Sequence, residues 1–268
     1  MPFEPLRIVG SGGHDDQRLC PAVQADGTPV WEAGDSNVAM WPAIGLGSCH
    51  GALGNQQNHQ KIGAHVFLTD SRLVVVSGQF AKGSRHSGPL ISSAIRNQAS
   101  QARAEREAAG QFLVGQMRHP WISIIVYSRR NGLRGENAIR VCGTHQSAFG
   151  DRESVMLLIH LDAGADPGAI AAEMASRVVG DRYHWETTTA AERESLAAAR
   201  FPGPGETAAG TLPSIRLAGA YVVSASSSGH GVHSSRSAGA APVANAAGYR
   251  ARHALAPAHP SGIDGDQM

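Results

Sequence analysis

A chain of 268 residues and 28.0 kDa, 42% hydrophobic and 17% charged, holds enough apolar material for one sizeable core, which excludes a small scaffold dependent on disulfide or metal staples. Three cysteines, Cys20, Cys49 and Cys142, form no framework spacing and favour a reducing compartment. The net charge of +1 conceals a basic central third: residues 71–140 hold eleven bases against three acids, a local balance of +8, so the rest of the chain sums to −7.

Met1 to Pro5 lacks the basic patch and apolar run of a secretory signal, and no window reaches the ~20 apolar residues of a bilayer span. The expectation is a cytoplasmic protein, at most peripheral at the inner membrane face. Residues 1–34 mix Pro, Gly and Asp with little periodicity and read as an irregular leader. Asn37 to Ile44 is strand-like, and the glycine-rich stretch from Gly45 to Gly54 reads as a flexible loop. Ala64–Leu68 and Arg72–Ser77, separated by Thr69-Asp70-Ser71, predict a tight antiparallel hairpin.

A helix is predicted over 89–110, opened by Pro89, with a narrow apolar stripe and Arg96, Arg103 and Arg106 on its outer face; it reads as an insertion between strands. Strands resume at Trp121–Tyr127, turn through Arg130-Asn131-Gly132, and continue at Asn137–Cys142 and Ser154–Leu161. Asp166-Pro167 is an N-cap followed by proline in the first turn, with Ile170, Met174, Val178 and Val179 as the buried face of the helix it opens; a weaker helix runs from Thr189 to Arg200. Of the 67 residues after Phe201, 40 are Ala, Gly, Ser or Pro, a composition that predicts a disordered tail over 201–268, with Ile215 to Val223 as the one candidate for a short strand. The folded domain is thus expected over 35–200.

Two phrases carry a resemblance. Val66-Phe67-Leu68-Thr69-Asp70-Ser71-Arg72-Leu73-Val74-Val75 resembles the second and third strands of pleckstrin-homology-like (PH-like) domains of the GRAM and bacterial PH kind. Phe112-Leu113-Val114-Gly115-Gln116-Met117-Arg118-His119-Pro120-Trp121 is similar to a segment of uncharacterised PH-like proteins of high-GC bacteria. The resemblance covers roughly residues 35–183. It implies an α+β fold: a bent antiparallel sheet, a partly open barrel closed by a C-terminal amphipathic helix. Modules of this kind bind phosphoinositides, other anionic lipids, phosphopeptides or proline-rich peptides, and some only scaffold, so the resemblance implies little about activity. The Lys/Arg pair that phosphoinositide-binding relatives place in the first hairpin loop is missing here, where Gly45 to Lys61 contributes Lys61 alone.

The candidate ligand face is basic: Arg85, Arg96, Arg103, Arg106, Arg118, Arg129, Arg130 and Arg134 bracket the helix and the following turn. Arginine presents paired donors to phosphate and carboxylate. The expected partner is an anionic membrane surface or an acidic or phosphorylated protein segment, with self-association as a further reading and no cofactor or metal. Nucleic acid is not the expected partner, since Trp121, Tyr127, Arg129 and Arg130 fit core and strand-end positions better than a stacking platform. The rival reading is an enzyme built on Cys49 and His50 with Cys142 or His145, yet Gly45-Leu46-Gly47-Ser48-Cys49-His50-Gly51 matches neither a dinucleotide fingerprint nor a nucleophile elbow, and the Cys/His spacings match no regular zinc motif.

Overall fold

The structure is a computed structural model that describes residues 6–10, 21–50, 61–78, 93–130, 135–146, 152–203, 205–225 and 232–236. In chain order the strands are β1 (Leu6–Gly10), β2 (Ala39–Ala43), β3 (Gly45–His50), β4 (Ala64–Leu68), β5 (Arg72–Ser77), β6 (Gln111–Arg118), β7 (Ile124–Ser128), β8 (Ala138–Gln146), β9 (Arg152–His160), β10 (Ser214–Arg216), β11 (Tyr221–Ala225) and β12 (Val232–Arg236). The helices are α1 (Ser93–Ala108), α2 (Pro167–Tyr183) and α3 (Ala190–Ala197), and a single 3-10 turn, His119–Trp121, follows β6.

The strands form two sheets. The first has the order β1-β6-β5-β4-β2, antiparallel throughout. In the second, β3, β9, β8, β7 and β10 lie side by side in antiparallel order, and β11 joins the far end of β8 in parallel, followed by β12. The fold is therefore α+β, two open sheets rather than a closed barrel.

The apolar runs of β4, β5 and β6 are continuous because both faces of the first sheet are covered. Val66, Leu68, Leu73, Val75, Leu113 and Met117 meet Ile125, Ile139, Val141, Leu157 and Ile159 of the second sheet in one core, which α2 closes with Ile170, Ala171, Met174, Ala175 and Val178. The alternate residues Phe67, Val74, Val76, Phe112 and Val114 pack with Val23 on the opposite face. Gly143 allows the 3-10 turn to seat on β8, since a Cβ there would meet the Trp121 carbonyl oxygen at 2.8 Å.

Several expectations are corrected. The leader is not wholly irregular: β1 pairs with β6 from Leu6↔Gly115 to Gly10↔Gln111, and Ala22 and Val23 are buried. The stretch Gly45–His50 is strand β3, paired with β9, not a loop. The tail is ordered at least in part: Ile215, Leu217, Val222 and Val223 are buried, so the core draws on residues well outside 35–200. The phrase from Phe112 to Arg118 is a central strand held between β5 and β1. Among the described residues the inserted helix runs from Ser93 to Ala108, Pro89 lying outside them. Asp166 caps α2 as expected, accepting from the Gly168 and Ala169 N–H groups, and Thr189 and Glu192 form a capping box on α3.

Candidate functional site

Among the described basic residues, Arg118 and Arg129 do not share one face. Arg85 and Arg134 lie outside the described residues, as does the side chain of Arg96. On α1, Arg103 pairs with Glu107 one turn on, Nε to Oε1 2.7 Å, and Arg106 is exposed. Arg118 points its guanidinium to Glu32 at 2.7 Å and lies over the Trp121 ring, 5.9 Å from its centroid. Arg129 leaves the end of β7 and reaches the Asp166 carboxylate at the start of α2 at 2.7 Å, 6.0 Å from the Tyr127 ring centroid. Arg130 is exposed beside it, its backbone N–H donating to Asn137 Oδ1 at 2.8 Å.

Helix α2 measures the separation. Arg129 sits at its N-terminus, whereas Arg118 adjoins His119, whose carbonyl receives Arg182 from the helix C-terminus at 3.1 Å. A 17-residue helix is about 25 Å long, so these two arginines occupy opposite ends of the molecule's helical side. What the structure brings together is the Arg129–Arg130 end of β7, the Asp166 cap and Asn137, whose amide donates to the Asp162, Ala163 and Ala165 carbonyls and holds the loop before α2. Hydrogen bonds from the Ala169 N–H and then Gly168, together with Arg129, hold the Asp166 carboxyl below the usual range. That end displays an exposed, fixed guanidinium next to a second one.

Arg118 instead belongs to a buried latch. Arg72, fully buried, binds Asp35 through Nε at 2.9 Å, Glu32 through Nη1 at 2.7 Å, Gln116 at 3.1 Å and the Val30 carbonyl at 3.0 Å. Glu32 bridges Arg72 and Arg118, so segment 30–35 is tied across β5 and β6. Burial opposes the charged form of Asp35, but Arg72, the Glu32 N–H and the Ser71 and Thr69 hydroxyls outweigh it and hold its carboxyl down at about 2.

Cys49 and Cys142 both stand opposite Met156, on strands flanking β9. Two strand spacings, about 9–10 Å, exceed what a disulfide bridges. Burial pushes the Cys142 thiol up to about 12, far from the thiolate a nucleophile requires. Cys142 and His145 are three residues apart on β8 and so face opposite sides of the sheet. The His50 side chain lies outside the described ones. Among the described residues no group of three or more His, Cys, Asp and Glu side chains could hold a metal ion, and no helix is long and apolar enough to cross a membrane.

Sequence reasoning missed two buried polar centres, this latch and the Arg182–His119 pair. Arg182 is fully buried and donates to the carbonyls of His119, Ile122, Leu217 and Ala218. Its signal was present: Ile170, Met174, Val178 and Arg182 repeat at every fourth residue, which puts the arginine on the apolar stripe.

Burial, and then the Arg182 charge, lower His119 to about 4; Asp70 and Arg177 also act on it, and Asp181 Oδ2 lies 3.7 Å from its Nδ1. The unfolded chain therefore takes up a proton near pH 6.5 that the folded chain refuses until about pH 4, and stability falls as pH drops through that interval. The expected loss is up to about 3 kcal/mol, read from urea unfolding at pH 7, 5.5 and 4.5. An His119→Phe variant should flatten that slope, and an unchanged slope would assign it elsewhere.

Comparison with family models, curated proteins and solved structures finds no match in any of the three.

Proposed function

We propose that the chain is a non-enzymatic binding module of the PH-like, GRAM type that recognises an anionic ligand, an anionic lipid surface in the first instance, through the Arg129–Arg130 end of β7. The supporting observation is the exposure of two consecutive arginines on the connection leaving β7, Arg129 having 61% of its side chain accessible. Arg134 follows on the same connection in the sequence. The Arg129 pair with Asp166, itself half exposed, is a surface ion pair worth at most ~1 kcal/mol, so a phosphate group displaces it at small cost. Arg118, held by Glu32 near the other end of α2, lies outside this site.

Each base near an anionic membrane contributes about 1 kcal/mol, so replacing both arginines by glutamate is expected to weaken partitioning by about thirtyfold or more. The measurement is co-sedimentation of wild type and Arg129→Glu/Arg130→Glu with neutral and anionic vesicles across salt. Salt-sensitive binding to anionic vesicles that the double variant loses supports the reading. Binding equal in the two proteins removes the site, and absence of vesicle binding by wild type redirects the search to acidic or phosphorylated protein segments.

A further inference from the structure

Arg72 of β5 and Arg118 of β6 are direct partners in the antiparallel register, so both side chains rise from the same face of the first sheet. Like charges directly opposite on neighbouring strands destabilise their pairing. The two central strands thus build a fork of two arginines that calls for an anion, and the anion comes from elsewhere in the chain. Glu32 Oε1 accepts from Arg72 Nη1 and from Arg118 Nη2, at 2.7 Å each. One oxygen does all of this bridging; among the described residues Glu32 Oε2 makes no hydrogen bond. The other carboxylate on Arg72 is a fixture: Asp35 has no side-chain exposure and also receives the Thr69 and Ser71 hydroxyls. Glu32 is different, with 34% of its side chain accessible, and the residues next to it, Ala33 and Gly34, are small and exposed. Its backbone N–H donates to Asp35 Oδ2 at 2.8 Å, so the side chain can turn outward while the segment stays in place. Turning it out leaves two guanidinium groups against the single carboxylate of Asp35.

We propose that the Arg72–Arg118 fork is a phosphate site that Glu32 fills as a built-in competitor, and that a soluble phosphate group, inorganic or at the end of a small monoester, takes the place of the Glu32 carboxylate. A phosphate group carries up to about two negative charges and three strong acceptor oxygens. It gives each guanidinium an oxygen of its own, where Glu32 gives both the same one, and arginine's planar donors suit that arrangement. Arg118 is already placed by the Trp121 ring, 5.9 Å from its centroid. The fork is recessed, Arg72 having no side-chain exposure and Arg118 23%, which suits a small soluble anion rather than a membrane plane. The site is independent of Arg129 and Arg130, which lie at the other end of α2.

The test is calorimetric titration of the full chain with inorganic phosphate at constant ionic strength, in the Arg129→Glu/Arg130→Glu background so that the other basic site does not contribute. Glu32→Gln keeps the shape and removes the charge; it should bind one phosphate per chain at least tenfold more tightly than the parent that retains Glu32. The parent's weaker binding, and that of Glu32→Gln, should both vanish when Arg118→Gln is added. Glu32→Ala should melt below the parent in phosphate-free buffer and recover by about 5 °C or more at saturating phosphate; where it does not fold, Glu32→Gln decides. Equal affinity with and without Glu32 overturns the proposal, because Glu32 is then no competitor. So does binding that survives Arg118→Gln, a folded Glu32→Gln that takes up no phosphate, or uptake on anionic vesicles with none of inorganic phosphate.

Discussion

Replacing Arg182 with methionine is expected to lower stability by about 3–5 kcal/mol, the cost of breaking a buried charged hydrogen-bonded group from one side. Methionine fills much of the same volume, so the loss comes from the carbonyl oxygens left behind. Arg182 serves four of them, on His119, Ile122, Leu217 and Ala218, and thereby joins the end of α2 to the 3-10 turn and to the connection between β10 and β11. Burial lowers its pKa to about 9, which keeps it protonated at neutral pH. Lysine should rescue little, since an ammonium is a point charge and cannot reach several acceptors in one plane. For a domain of this size each kcal/mol shifts the midpoint by about 2–4 °C, so a drop on the order of 10 °C in a melting curve is the expected reading. A drop of under about 3 °C in Arg182→Met would mean that water replaces the guanidinium at those carbonyls.

Asp35→Ala is the second large effect. It removes the principal counter-charge of Arg72, whose side chain has no exposure, and leaves the cation to Glu32, Gln116 and one carbonyl. A loss of about 3 kcal/mol is expected, together with faster amide exchange in residues 21–37, because Asp35 also receives the Thr69 and Ser71 hydroxyls that hold this segment on the sheet. The pH dependence has a definite sign. A carboxyl held at about 2 instead of 3.8 stabilises the folded chain above pH 4 and ceases to do so as pH falls toward 2. Asp35→Asn should therefore be less stable than wild type at neutral pH and approach it in acid. A constant difference between the two across pH 2 to 7 would show that shape, not charge, makes the latch.

Local signals were legible and long-range ones were not. The hairpin of β4 and β5 has the bounds read from its two β-branched runs, and the Asp166-Pro167 pair marks the start of α2 because capping is decided within four residues. Strand β3 was hidden by its glycines, whose weak preference for extended structure is overridden by pairing with β9 along its whole length. Leu6–Gly10 and Ile215 to Val223 lack strong local signatures, since what orders them is β6 and β8 respectively, or β7 for β10, all far away in sequence. The candidate site fared likewise. Arginines clustered between 72 and 140 lie near one another along the chain, but the strands carrying Arg118 and Arg129 run to opposite ends of α2. Carboxylates contributed from residues 32 and 166, outside the basic stretch, neutralise them.

The acceptors of Arg182 are also split along the chain. His119 and Ile122 precede the arginine in the chain, whereas Leu217 and Ala218 emerge from the ribosome some 35 residues after it. Until they arrive, a nascent chain that packs α2 against the sheets encloses a cation with half its carbonyls missing, and the edge of β8 that receives β11 stays open. The buried arginine thus couples the packing of α2 to a connection some 35 residues further along the chain, so that a chain ending before residue 217 would leave a buried cation with two of its four carbonyl acceptors.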